Sequence, residues 1–161
     1  MTTMTATKTL VVNPAFLQEI KDSNPDLWQT VHHVRQTCER SDTSPETVRR
    51  LTRLLDQLRD QLSMQFALEE AYGFIEVAAT ERPWLGKYDG EDSQITATKA
   101  HDQHCQLYLR LSDLAEHAEE LQYRGVGVQG LLGLVAATEA FDAQFRAHEQ
   151  LEAELIARAL H

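Results

Sequence analysis

An all-α fold, in the form of an antiparallel up-down-up-down four-helix bundle, is what this sequence predicts, and three observations predict it. Only seven Gly and four Pro punctuate 161 residues, too few for the many turns of a sheet protein. Apolar residues recur in steps of three and four along four long stretches, the period of a helix that buries one face. The connections between those stretches are short or moderate, so neighbouring helices reverse direction and pool their apolar stripes in one core. With 42% hydrophobic residues the chain can fill one such core.

Thr2 to Val12 is Thr-rich, then briefly apolar, and reads as an extended arm, so residues 1–13 are assigned to the arm and 14–161 to a single bundle domain. Asn13-Pro14 and Asn24-Pro25 each join a capping residue to Pro at the first helical position. The first helix is therefore kinked or restarted at Pro25. Its inward seam is Leu17, Ile20, Leu27, Val31, Val34 and Cys38, with Asn24 standing in the gap. Ser44-Pro45-Glu46 opens the second helix, whose seam runs Leu51, Leu55, Leu58, Leu62, Gln65, Glu69, Tyr72. Thr80 to Ser93, with Pro83, Gly86 and Gly90, is the longest loop.

The third helix, from about Gln94 to Tyr123, carries the seam Ala100, His104, Leu107, Leu111, Leu114, Ala118, Leu121. Gly125 to Gly130 turns the chain into a fourth helix, which continues to about Leu160 along Leu134, Thr138, Phe141, Phe145, His148, Glu152, Leu155, Ala159. Trp28, Tyr72, Phe141 and Phe145 are expected to pack the core around the polar positions.

Six polar residues thus sit where apolar ones are demanded: Asn24, Gln65, Glu69, His104, His148 and Glu152. At 1.5 Å of rise per residue, all six fall roughly eight to fourteen residues from one shared end of the bundle. They form one layer. A buried carboxylate costs several kcal/mol unless a cation or donors compensate it, so Glu69 and Glu152 need a partner. Gln65/Glu69 and His148/Glu152 are each four apart, which puts both members of a pair on one helix face. Two imidazoles and two carboxylates suit Fe, Zn or Mn without distinguishing them. Gln65 reads as a hydrogen-bond donor behind the ligands, Asn24 as either part of the layer or a simple helix cap, and His101, three residues before His104, as an additional ligand candidate. His32 and His33 lie off the seam and more than ~10 Å from the layer, so they read as surface residues, as do His117 and His161.

The net charge of −10 and the lack of a Lys/Arg cluster exclude nucleic acid and anionic membrane surfaces as natural partners. No run of about 20 apolar residues occurs and the first dozen residues lack a signal-peptide block, so a cytoplasmic protein is expected. Cys38 and Cys105 form neither a disulfide framework nor a CxxC pair and read as core or flanking residues.

Met64-Gln65-Phe66-Ala67-Leu68-Glu69-Glu70, Gln103-His104 and Phe145-Arg146-Ala147-His148-Glu149-Gln150-Leu151-Glu152, in this order and in one layer, resemble the hemerythrin-like, HHE cation-binding domains over most of residues 14 to 160. In that family a four-helix bundle holds two bridged irons. The resemblance implies Glu69 and Glu152 as bridging carboxylates and His104 and His148 as terminal ligands. The chain departs from the pattern at Gln65 and Asn24, which stand where the family has histidines that serve mainly one iron. A site with one ion, or with a much weakened second position, is implied, and reversible O2 carriage is not.

The function expected from these residues is a non-heme metal-binding protein, iron before Zn or Mn, that senses, stores or handles iron, O2 or NO. No nucleophile or substrate pocket is evident, so binding is favoured over turnover. Two other readings stand beside it. One is a metal-free helical scaffold or interaction module, in which a protonated His satisfies the carboxylates. The other is a small non-heme iron oxidase or peroxidase, with Thr80 to Ser93 as its lid.

Overall fold

The computed structural model describes residues 8–40, 42–78, 91–125 and 127–160. These residues are mostly helical: α1 (Pro14–Asp22), α2 (Pro25–Glu39), α3 (Pro45–Leu68), α4 (Glu91–Arg124) and α5 (Val128–Ala159). Two short strands, β1 (Lys8–Val12) and β2 (Phe74–Ala78), pair antiparallel in a register running from Lys8 opposite Ala78 to Val12 opposite Phe74. The expected loop over Thr80 to Ser93 lies outside the described residues except for its last three, which already belong to α4. His161 also lies outside them. Among the described residues no helix is long and apolar enough to cross a membrane.

Pro opens the first turn of α1, α2 and α3, as the sequence predicts, but of the residues before them only Asn13 caps with its side chain. Asn13 Oδ1 accepts the Phe16 N–H at 3.2 Å and Pro14 occupies the first turn of α1. The chain then restarts at Pro25, with the Ser23 N–H closing α1 on the Glu19 carbonyl. That break changes the helix phase. Ile20, expected on the seam, is only half-buried, and Lys21 takes the inward position at 8% exposure.

A second change of phase ends α3. After Leu68 the backbone widens into a π-helical turn, Glu69–Gly73, which holds one more residue per turn than an α-helix. Tyr72, expected in the core, is consequently 56% exposed. Gly73 takes the inward place, so close to Leu17 that an added Cβ would lie 2.9 Å from its Cδ1. The Asn13 N–H donates to the Gly73 carbonyl at 2.8 Å, and β2 leaves directly from this point to pair with β1. The seam's last member, Ala159, is exposed near the end of α5.

The long helices close a ring: α2 packs on α3 and α5, and α4 packs on α3 and α5. Facing residues show that partners run in opposite directions. Thr52 meets Ala118 while Glu70 meets His104, and Arg110 meets Gln144 while Gln103 meets His148. Among the described residues the apolar interior falls into two clusters. One contains Leu27, Leu62, Phe66, Leu107 and Phe145, and the other contains Leu17, Phe74, Ala100, Leu155 and Ile156. On each helix the polar seam residues lie between these two sets.

Candidate metal centre

Between the apolar clusters, Glu69, His104, His148 and Glu152 converge with ligand-capable atoms all within 4.8 Å of one another. All four are buried, at 0–2% exposure. Glu69 comes from the first residue of the π turn, His104 from α4, and His148 with Glu152 from one face of α5. Their positions follow from the seam: each replaces a Leu or Phe that would otherwise join the two clusters.

Both imidazoles present the same nitrogen inward. His148 Nδ1 lies 2.8 Å from the Gln103 side-chain amide oxygen, which assigns a proton to Nδ1, and its Nε2 lies 3.2 Å from Glu152 Oε1. His104 Nδ1 contacts Glu70 Oε1 at 3.3 Å, while Nε2 faces Glu69 Oε1 at 3.1 Å and Glu152 Oε2 at 3.4 Å. Outer partners of this kind orient metal-ligating histidines and hold their tautomer. Phe66 covers the His104 ring face to face, with centroids 4.2 Å apart.

Among the described residues His148 Nε2 has no hydrogen-bond partner, and Glu69 Oε1 has one only through a proton on His104 Nε2, 3.1 Å away. Buried polar atoms left unpaired are costly, and a cation among them removes that cost. The four residues could hold one metal ion in a two-nitrogen, two-oxygen set.

A lysine absent from the sequence expectation reaches the same layer. Lys21 Nζ donates to Glu152 Oε1 and Glu149 Oε2, each at 2.7 Å, and lies 3.5 Å from Glu69 Oε2. Burial opposes its charge, yet the carboxylates of Glu152, Glu69 and Glu149 outweigh burial and hold the ammonium well above the ordinary lysine range. Burial likewise works against a charged His104, but its hydrogen bonds to the Glu152 and Glu69 carboxylates lift it to about 9. Burial raises Glu149, whereas for Glu152 it is overcome by His104, His148 and Lys21, which hold that carboxyl well below its usual range.

No family model, curated protein or solved structure matches this chain. Its chemistry must therefore be read from the cluster itself.

The remaining sequence candidates are placed clearly. Asn24 stands at the start of α2 but does not cap it; its Nδ2 donates to Gln65 Oε1 at 3.0 Å, and Gln65 Nε2 donates to Glu69 Oε2 at 2.8 Å. Both amides thus back Glu69. His101 stays outside the four, 39% exposed, with Nε2 3.8 Å from Glu70 Oε1. His32, His33 and His117 are on the surface. Cys38 packs against the main cluster, where burial, followed by Glu139, Asp142 and Glu39, pushes its thiol up to about 12, and Cys105 is exposed.

Lys21, Gln103 and Glu149 were not singled out by the sequence pattern. Gln103 and Glu149 sit one residue from a seam position, where polar side chains are ordinary. One signal did point to Lys21: two buried carboxylates call for a cation, and Lys21 is one residue from a seam position at the level of the layer.

Proposed function

We propose that this protein binds a single metal ion of the iron class through Glu69, His104, His148 and Glu152, as a hemerythrin-like bundle with a reduced site. It serves sensing, storage or handling of iron, O2 or NO rather than turnover. The observation that carries the reading is the unpaired buried His148 Nε2, with Glu69 Oε1 near it, both within a cluster of four groups able to ligate. The inward Nε2 atoms, each with Nδ1 held from behind by Gln103 or Glu70, support it further. The closed ring of four long helices supports the bundle assignment. So does the placement of Gln65 and Asn24, which are bonded to each other as neutral amides and offer no imidazole for a second ion.

Bound in this layer, iron would supply a redox-active Lewis acid shielded from bulk water. The protein's own part is to orient two imidazoles and to stack Phe66 over one of them. A cleft of about 210 Å³ lined by Phe66, Glu70, His104, Cys105 and Tyr108 lies beside the His104 ring.

The competing reading, a metal-free scaffold, is favoured by one observation: Lys21 and a protonated His104 together neutralise much of the carboxylate charge. Elemental analysis of protein purified without chelator separates the two. About one equivalent of a transition metal, with thermal stability raised by added Fe²⁺ or Zn²⁺, is expected. Less than about 0.2 equivalents, with no stabilisation by added metal, sinks the metal-binding reading.

A further inference from the structure

We propose that Lys21 limits the centre to one metal ion: its ammonium fills a second cation position that shares Glu69 and Glu152 with the first. The inference rests on the single-ion reading above, in which Gln65 and Asn24 withhold nitrogen ligands, and adds that an oxygen-lined position remains beside them and is filled by the ammonium.

The geometry is that of two cation positions side by side. Glu69 turns Oε1 to His104 and Oε2 towards Lys21, at 3.1 and 3.5 Å. Glu152 places Oε2 3.4 Å from His104 Nε2, and Oε1 both 2.7 Å from Lys21 Nζ and 3.2 Å from His148 Nε2. Both carboxylates therefore reach the imidazoles and the ammonium at once, the arrangement by which a carboxylate bridges two positive centres. Glu149 adds a third oxygen to the Lys21 side alone, at 2.7 Å.

Three carboxylate oxygens converging on one point form an oxygen-rich cage of the kind that hard divalent cations take. Here that point is an ammonium on a flexible stem. The stem is held: α1 ends directly after it at Asp22, and the Trp28 indole N–H donates to the Lys21 carbonyl at 2.8 Å. Lys21 is 8% exposed and Glu69 and Glu152 are fully buried, so water cannot take over its role cheaply. With the ammonium removed, two buried carboxylates and a half-buried third would lack their cation, and a second divalent ion becomes the natural replacement.

The test is metal stoichiometry. Native protein, Lys21→Ala and Lys21→Gln are stripped with chelator, reloaded anaerobically with excess Fe²⁺ or with Mn²⁺, desalted, and analysed for metal per chain, with circular dichroism reporting the fold. One equivalent is expected for the native protein and two for both variants. Ethylammonium, which returns an ammonium to the vacated space, should bring Lys21→Ala back towards one. Native protein that already binds two ions, or folded variants that still bind one, would overturn the inference while leaving metal binding intact. Variants that fold neither alone nor with metal present would also overturn it, because the ammonium would then not be exchangeable for an ion. Native protein that binds none removes the single-ion reading itself, an outcome distinct from the others.

Discussion

The ring of Phe66 lies on the imidazole of His104 with their planes 8° apart and centroids 4.2 Å apart. This stack ties the main apolar cluster to the polar layer, since Phe66 also meets the His148 ring edge-on at 5.7 Å. Replacing Phe66 by Leu keeps most of the buried area but loses both ring contacts. A loss of about 1–2 kcal/mol in urea unfolding is expected. Release of bound metal to a chelator should also quicken, and an unchanged release rate would show that the stack does not hold His104 in place.

His148→Ala removes an inward nitrogen whose tautomer Gln103 holds. Metal content should fall from about one equivalent to less than a tenth, because loss of one of four ligands costs far more than loss of an outer partner. His33→Ala, on an exposed position of α2, should leave metal content unchanged, and elemental analysis of the pair checks both halves.

The metal-free protein should show an asymmetric pH dependence. His104 is raised from 6.5 to about 9 on folding, so its contribution is complete below about pH 6.5 and is lost as pH rises through 9. Glu149, also raised, shifts stability in the same direction, whereas Glu152 is lowered, so its contribution is complete above about pH 4.5 and fades as pH falls. Maximum stability of the stripped protein is expected between about pH 4.5 and 6.5. Metal affinity should run the other way, rising by up to about tenfold per pH unit from 7 to 9, because the ion must displace the His104 proton. Thermal melts and chelator competition across this range give both curves.

Gly73→Ala would place a methyl group 2.9 Å from Leu17 Cδ1. A destabilisation of about 1–3 kcal/mol is expected from the overpacked contact. In a Leu17→Ala background the same change should cost much less, and strictly additive effects in the double-mutant cycle would refute the contact as the cause.

The helical class and the polar layer were legible because burial imposes a strict period, and Gln65, Glu69, His104, His148 and Glu152 violate it at inward positions that the structure also buries. The errors cluster where that period is interrupted. Extending the first seam across the break at Asn24-Pro25 selected Ile20, yet Lys21 points inward. Carrying the α3 seam through Glu69–Gly73 selected Tyr72, yet the π turn advances the register by one residue and buries Gly73. Strand β2, Phe-Ile-Glu-Val-Ala after a glycine, has strand-forming residues but is too short to stand out without its partner β1. Lys21 was hidden for a different reason: lysine is almost always a surface residue, and only the carboxylates around it reveal otherwise.

The bond from Lys21 to Glu152 spans 131 positions of sequence, and that to Glu149 spans 128. A ribosome releases the lysine long before either carboxylate exists, and contacts so distant along the chain are the slowest to close. Only with α5 docked can Glu149 and Glu152 reach Lys21. The charged layer thus couples the first helix to the last.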